Sequence, residues 1–114
     1  MIKIKRIYES PTPSSGDGKR VLIDRLWPRG LRKDEVVVDG WMKEIAPSNQ
    51  LRKWFGHDPA KWEEFKKRYW RELEDKKEFL EQLKKDAKGG TLTILYSARD
   101  TEHNNAVALE ELLR

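Results

Sequence analysis

A run of seven residues between two helical patterns constrains the fold more than any other feature of this sequence. Residues 91–97 read Thr-Leu-Thr-Ile-Leu-Tyr-Ser, with apolar or β-branched side chains at nearly every position. Such a run is typical of a central strand of a parallel sheet, buried on both faces. A chain of 114 residues has room for one core. We therefore predict a compact single α/β domain over residues 1–114, with a small, partly parallel sheet flanked by helices.

A second strand is predicted at residues 21–25, and it runs directly into charged side chains. Asp24 and Arg25 close this strand, and Arg29 follows four residues later. In open parallel sheets, ligands bind at the carboxyl ends of the strands. The end of this strand is therefore a candidate binding site.

The end of strand 91–97 carries a matching set of side chains. Arg99 and Asp100 follow it closely, His103 lies three residues further on, and Thr101 is a candidate N-cap for a last helix. If the two strands are parallel neighbours, both sets meet at one edge of the sheet. Guanidinium and helix N–H groups there would suit phosphate or carboxylate. Histidine is the side chain best suited to proton transfer near neutral pH.

The same charges have a purely structural interpretation, which the residues leave open. Asp24 with Arg99, and Asp100 with Arg25, could be ion pairs that tie the loops together. Ser48 is placed as the N-cap of a short helix. Tryptophan rings outside the long helix could stack on a ligand or cover the core. The candidate catalytic residues are Asp24, Asp100 and His103, and the candidate ligand-binding residues are Arg25, Arg29, Arg99, Trp27, Trp41 and Ser48.

The charge distribution favours an anionic partner. Lys and Arg number 24 against 20 Asp and Glu, a net charge of +4, and residues 1–33 alone carry nine basic and three acidic side chains. An anionic partner is therefore expected to dock on the first third of the chain. A charged fraction of 39% without cysteine is also typical of thermophile proteins.

Several classes of chemistry are excluded or disfavoured. Without cysteine the chain has no disulfide, thiolate metal site or cysteine nucleophile. We expect a cytoplasmic protein, because the absence of cysteine fits a reducing compartment. We expect no membrane partner, because no apolar run reaches the length of a membrane span. No phosphate-loop, dinucleotide-binding or serine-hydrolase motif occurs, so the cofactor is left open. His57 and His103 are the only histidines, and no metal site is predicted.

Several motifs in their order closely resemble the YeaO-like family, catalogued as domain of unknown function 488. The resemblance covers nearly the whole chain and implies a compact α/β domain of prokaryotic type, without an established reaction to carry over. Asn105 stands where the family pattern leads us to expect histidine. The motifs are Val-Leu-Ile-Asp-Arg-Leu-Trp-Pro-Arg-Gly from residue 21, Lys-Glu-Ile-Ala-Pro-Ser from residue 43, Trp54-Phe55, His57-Asp58-Pro59 and Leu-Tyr-Ser-Ala-Arg-Asp from residue 95.

Three functional hypotheses follow. The first is a binding protein or an enzyme for a phosphate- or nucleotide-like small molecule, held at the ends of strands 21–25 and 91–97. The second is a ligand-free interaction module. The sequence leaves the oligomeric state and enzymatic activity open. The third, ranked below the first, is a nucleic-acid binder that uses a basic face of Lys3, Lys5, Arg6, Lys19, Arg20 and Arg32.

Overall fold

A four-stranded parallel sheet with a different covering on each face forms the centre of the fold. The computed structural model describes residues 1–114. The strand order is β1-β4-β2-β3, and every neighbouring pair is parallel. The strands are β1 (Ile2–Arg6), β2 (Lys19–Leu22), β3 (Gly40–Trp41) and β4 (Leu92–Tyr96), and the helices are α1 (Asn49–Phe55), α2 (Trp62–Glu72), α3 (Lys77–Lys88) and α4 (Asn105–Leu113).

The central position of β4 confirms the expectation from its sequence. All five of its residues are buried, and it pairs with β1 on one side and β2 on the other. Ile94 is the register partner of both Ile4 and Val21. The α/β fold class is therefore confirmed, and the whole sheet is parallel.

The helices cover only one face of the sheet. Alternate residues of a strand point to opposite faces, and Val21 and Ile94 pack in the large core cluster with side chains from all four helices. Leu22 and Leu95, on the other face, pack against Ile7 and residues from the loops. The loops that follow β1 and β2 thus replace a second layer of helices.

The strand at residues 21–25 is shorter than predicted. β2 ends at Leu22, although the N–H of Ile23 still donates to the carbonyl of Leu95 at 3.2 Å. Asp24 and Arg25 lie just beyond the last ladder hydrogen bond. They are therefore in the loop at the carboxyl edge of the sheet.

The prediction that Thr101 caps the last helix is wrong. Oδ1 of Asp100 accepts hydrogen bonds from the backbone N–H groups of Glu102 and His103, and this turn delays the start of the helix. The side chain of Asn104 is the N-cap, accepting from the N–H of Val107 at 3.0 Å.

The prediction that Ser48 is the N-cap of a short helix is confirmed. The Ser48 hydroxyl accepts a hydrogen bond from the N–H of Leu51, and Gly56 ends the helix in the left-handed conformation with a φ of 53°. No helix of the fold combines the length and apolar character needed to cross a bilayer.

A buried ionic cluster fixes the loop between β1 and β2. Asp17 and Arg20 are each 1% exposed, and the Asp17 carboxylate accepts from Lys5, Arg20 and the backbone N–H of Ser14. Arg20 also donates to the carbonyls of Ser10 and Val37. This cluster joins the loop to the face of the sheet that has no helices.

Candidate functional site

A cleft of about 1170 Å³ lies at the carboxyl edge of the sheet. Its walls are built by the loops that follow β1, β2 and β4, by α1 and the segment before it, and by the start of α4. This is the edge at which open parallel sheets bind ligands. The parallel arrangement of β2 and β4 therefore brings the two predicted sets of side chains into one cleft.

Most of the residues predicted for a site line this cleft. They come from the loop after β2 and from the segment between β4 and α4. The predicted residues on the walls are Asp24, Arg25, Trp27, Arg29, Arg99, Asp100 and His103.

The two ion pairs of the structural interpretation do not form. Oδ1 of Asp24 accepts instead from the side-chain amide of Asn105 at 3.1 Å, and its buried Oδ2 has no partner. Arg25 donates to the carbonyls of Ala46 and Pro47, at 3.3 and 3.4 Å. The arginines at this edge are therefore not neutralised by the aspartates.

Asp100 orients His103. Its Oδ2 lies 2.9 Å from Nδ1 of His103, and its Oδ1 accepts from the N–H groups of Glu102 and His103. These hydrogen bonds, first that from the Glu102 N–H, hold the pKa of Asp100 below its usual range. The ring of His103 packs edge-on against Trp62, with the centroids 5.3 Å apart. His103 is held on two sides, and its Nε2 has no partner within the protein.

Trp41 lies outside the cleft, behind the loop that follows β2. Its indole N–H donates to the carbonyl of Asp24 at 2.7 Å, and its ring meets Trp27 edge-on at 5.4 Å. Trp27 lines the cleft, while its own indole N–H donates to the carbonyl of Leu31. Trp41 therefore supports this loop from behind.

Ser48 also lies outside the cleft. Its hydroxyl donates to Oε2 of Glu72 at 2.6 Å, and its backbone N–H donates to Oε1 of the same carboxylate at 2.9 Å. Because its hydroxyl also accepts from Leu51, its polar groups are engaged within the protein. The structure gives Ser48 the role of joining α1 to α2.

Sequence reasoning missed Arg6 at the end of β1. Its Nε donates to the carbonyls of Ser97 and Ala98, and its guanidinium lies 4.7 Å from the centre of the Tyr8 ring. The Tyr8 hydroxyl donates to the carbonyl of Arg29 at 2.7 Å. Since β1 is parallel to β4, the end of β1 was the signal that could have placed Arg6 at this edge.

Two further cations of the cleft, Arg52 and Lys53, come from α1 and were also missed. They are exposed on a helix whose sequence pattern indicates only which face is buried. None of the six cations of the cleft takes part in an ion pair of the fold. These six, named the cleft cations below, are Arg6, Arg25, Arg29, Arg52, Lys53 and Arg99.

The cleft has no constellation suited to a metal ion. No group of three or more His, Asp or Glu side chains is close enough to hold one. The donors that line the cleft are mostly guanidinium groups, which repel a cation and attract an anion.

The fold and the cleft define a two-layer α/β protein, with helices on one face of the sheet and a cationic groove at the strand ends. Within that class, the chain belongs to the DUF488 family. The family model DUF488-N3i, described as the inactive DUF488-N3 subclade, matches residues 1–114. The resemblance to the YeaO-like family is thereby confirmed.

Relatives in distant bacteria cover nearly the whole chain. The chain is 42% identical over 113 residues to the uncharacterised protein YeaO of Escherichia coli K12, covering 99% of this chain and 96% of that protein. It is 39% identical over 112 residues to the uncharacterised protein Rv3073c of Mycobacterium tuberculosis H37Rv, covering 98% and 92%. No solved structure matches the chain.

Proposed function

We propose that the cleft binds an anionic small molecule that carries phosphate and is of nucleotide size. The observation that carries the proposal is the gathering of the cleft cations on one groove without a carboxylate partner for any of them. Like charges repel one another, so such a cluster is stabilised by an anion. Guanidinium groups match the geometry of phosphate oxygens.

The dimensions of the cleft support a ligand of this size. Sites for small molecules commonly measure about 300–1000 Å³, and this cleft measures about 1170 Å³. Trp27, with part of its ring on the wall, offers a surface for a base or sugar. A nucleotide-like ligand also fits the cytoplasmic location predicted from the cysteine-free sequence.

We place binding ahead of catalysis in this proposal. The description of the matching family model as an inactive subclade supports binding without turnover. His103 and Asp100 then serve as fixed contacts, with Nε2 of His103 available for a hydrogen bond to the ligand. Asp24, whose Oδ1 accepts a hydrogen bond from Asn105, likewise serves as a fixed group of the cleft.

The basic face of the nucleic-acid hypothesis has less support. Arg20 is buried, Lys5 is bound to Asp17, and Lys19 is paired with Asp86. Arg32 is paired with Asp34. Four of the six residues of that face are therefore already neutralised, and the small-molecule cleft is the better candidate.

Calorimetric titration with AMP, ADP, ribose 5-phosphate and inorganic phosphate tests the proposal. We expect binding by the wild type and a loss of at least about a hundredfold in affinity for the double variant Arg29→Ala/Arg99→Ala, since each of the two charge-assisted hydrogen bonds contributes about 1.5–3 kcal/mol. Arg71→Ala, which removes an exposed arginine of α2 outside the cleft, is the matched control and should bind normally. Failure of the wild type to bind any of these anions at low salt would reject the proposal.

A further inference from the structure

We propose that the ligand carries at least two linked phosphate groups, held by cations on two different walls of the cleft. This inference rests on the proposed function and specifies the class of ligand. The first group of cations, named the strand-end group, comprises Arg6, Arg29 and Arg99. The second, named the α1 group, comprises Arg52 and Lys53.

Arg6 is the best-fixed member of the strand-end group. Two carbonyls, of Ser97 and Ala98, lie 3.2 and 2.9 Å from its Nε, and the Tyr8 ring supports its flat face. Its two terminal amino groups have no acceptor within the protein. A guanidinium that is fixed at one edge loses little entropy when the other edge binds a phosphate.

The other two members of the strand-end group are connected to Arg6 through the backbone. Tyr8, which supports Arg6, also donates to the carbonyl of Arg29. Arg99 directly follows Ala98, whose carbonyl accepts from Arg6. One network of hydrogen bonds therefore fixes the guanidinium group of Arg6 and the backbone from which the side chains of Arg29 and Arg99 extend.

The α1 group is held in place by contacts separate from those of the strand-end group. Its helix is fixed by the Ser48 cap and by the hydrogen bonds between Ser48 and Glu72 of α2. No hydrogen bond connects Arg52 or Lys53 to the strand-end network. The cleft thus presents two independently supported cationic surfaces to one ligand.

The charge balance of the cleft favours more than one phosphate. The six cleft cations face only two carboxylates, Asp24 and Asp100, which leaves a surplus of four positive charges. A single phosphate monoester carries about −1.5 to −2 at neutral pH and compensates half of that surplus. A second linked phosphate supplies further negative charge, which compensates the positive charge of Arg52 and Lys53 in the α1 group.

Titration with inorganic phosphate, pyrophosphate and tripolyphosphate, with AMP and ADP alongside, tests the inference. We expect pyrophosphate to bind at least about tenfold more tightly than phosphate, and ADP to exceed AMP similarly, because one further charge-assisted contact contributes about 1.5–3 kcal/mol. A similar gain in affinity from phosphate to pyrophosphate and from AMP to ADP would assign that gain to the second phosphate group.

Variants of each group of cations test which phosphate of the ligand that group binds. Arg52→Ala/Lys53→Ala should reduce the ratio of the pyrophosphate and phosphate affinities to near one while the affinity for phosphate stays within about twofold. The control Lys67→Ala/Arg71→Ala removes two exposed charges from α2 outside the cleft and should preserve the ratio. Arg6→Lys keeps the positive charge and loses the bidentate guanidinium geometry, so it should weaken the binding of both phosphate and pyrophosphate.

The outcomes separate this inference from the proposed function. Equal affinities for phosphate and pyrophosphate in the wild type would overturn the inference and leave the anion site intact. Absence of binding to every anion would overturn both. A single-stranded oligonucleotide that binds more tightly than tripolyphosphate at the same salt concentration would overturn the inference in favour of a nucleic-acid groove.

Discussion

Asp17 and Arg20 form an ion pair of 2.7 Å that solvent barely reaches, on the face of the sheet opposite the helices. The pair is completed by Lys5 and by the backbone N–H of Ser14. A buried charge is tolerated only when it is paired and hydrogen-bonded. The loop between β1 and β2 therefore depends on the ionised form of one carboxylate.

This dependence predicts acid sensitivity. The hydrogen bond from Lys5, followed by that from the Ser14 N–H, holds the pKa of Asp17 well below its usual range. A lowered folded-state pKa contributes stability above the unfolded-state pKa of about 3.9, and that stability is lost as the pH falls below it. Asp17→Asn should therefore unfold more easily at pH 7 and lose less stability than the wild type between pH 5 and pH 2, as measured by urea denaturation.

The control for this prediction is Asp75→Asn, at an exposed position that forms no ion pair. It should follow the pH profile of the wild type. A profile for Asp17→Asn that is parallel to the wild type throughout would contradict the assignment.

Ser48→Ala is expected to affect stability and leave the affinity for inorganic phosphate largely unchanged, because the strand-end group binds that anion. The substitution removes the N-cap of α1 and one hydrogen bond to Glu72, and loss of such a cap typically costs about 1 kcal/mol. Equilibrium denaturation measures the cost. A normal free energy of unfolding together with a large loss of phosphate affinity would instead restore Ser48 as a ligand contact.

Two glycines with positive φ form a matched pair of tests. Gly18 has a φ of 61°, and a Cβ there would lie 2.1 Å from the carbonyl oxygen of Thr91. Gly30 has a φ of 84° with open space around the Cβ position. Gly30→Ala should cost only the backbone strain, about 1–2 kcal/mol, and Gly18→Ala should cost clearly more. Similar midpoints of thermal unfolding for both variants would contradict the close packing at Thr91.

Tyr8→Phe is expected to loosen the loop that carries Arg29. The variant retains the ring beneath Arg6 and loses only the hydrogen bond to the Arg29 carbonyl, which lies near the surface. Stability should change little, because an exposed hydrogen bond contributes about 1 kcal/mol or less. Phosphate affinity, measured by calorimetry, should fall by about threefold to tenfold. An unchanged dissociation constant would show that the Tyr8 hydroxyl does not contribute to the anion site.

The sequence predicts the edge of the sheet at which the cleft lies, because the relevant signals are local. Asp24 and Arg25 follow an apolar strand, Arg99 and Asp100 follow another, and parallel strands bring such ends together. Arg6 was not predicted as part of the cleft, because its place depends on the pairing of β1 with β4, whose residues are 90 positions apart in the register.

Long-range partners also explain why Ser48 was assigned to the ligand. Its role as an N-cap follows from local sequence, whereas its partner Glu72 lies 24 residues away. The supposed pairs between aspartates and arginines fail for a similar reason. Asn105 and the carbonyls of Ala46 and Pro47, which the pattern of charges does not reveal, take those side chains instead.

The central position of β4 has a consequence for the order in which the protein can assemble. β1 is joined to β2 and β3 only through β4, which begins at Leu92 of a chain of 114 residues. During synthesis β1 and β2 therefore have no strand between them to pair with until most of the polypeptide has been made. We expect the sheet to close late and through contacts distant in sequence, which makes folding slower than in a helical protein of this length.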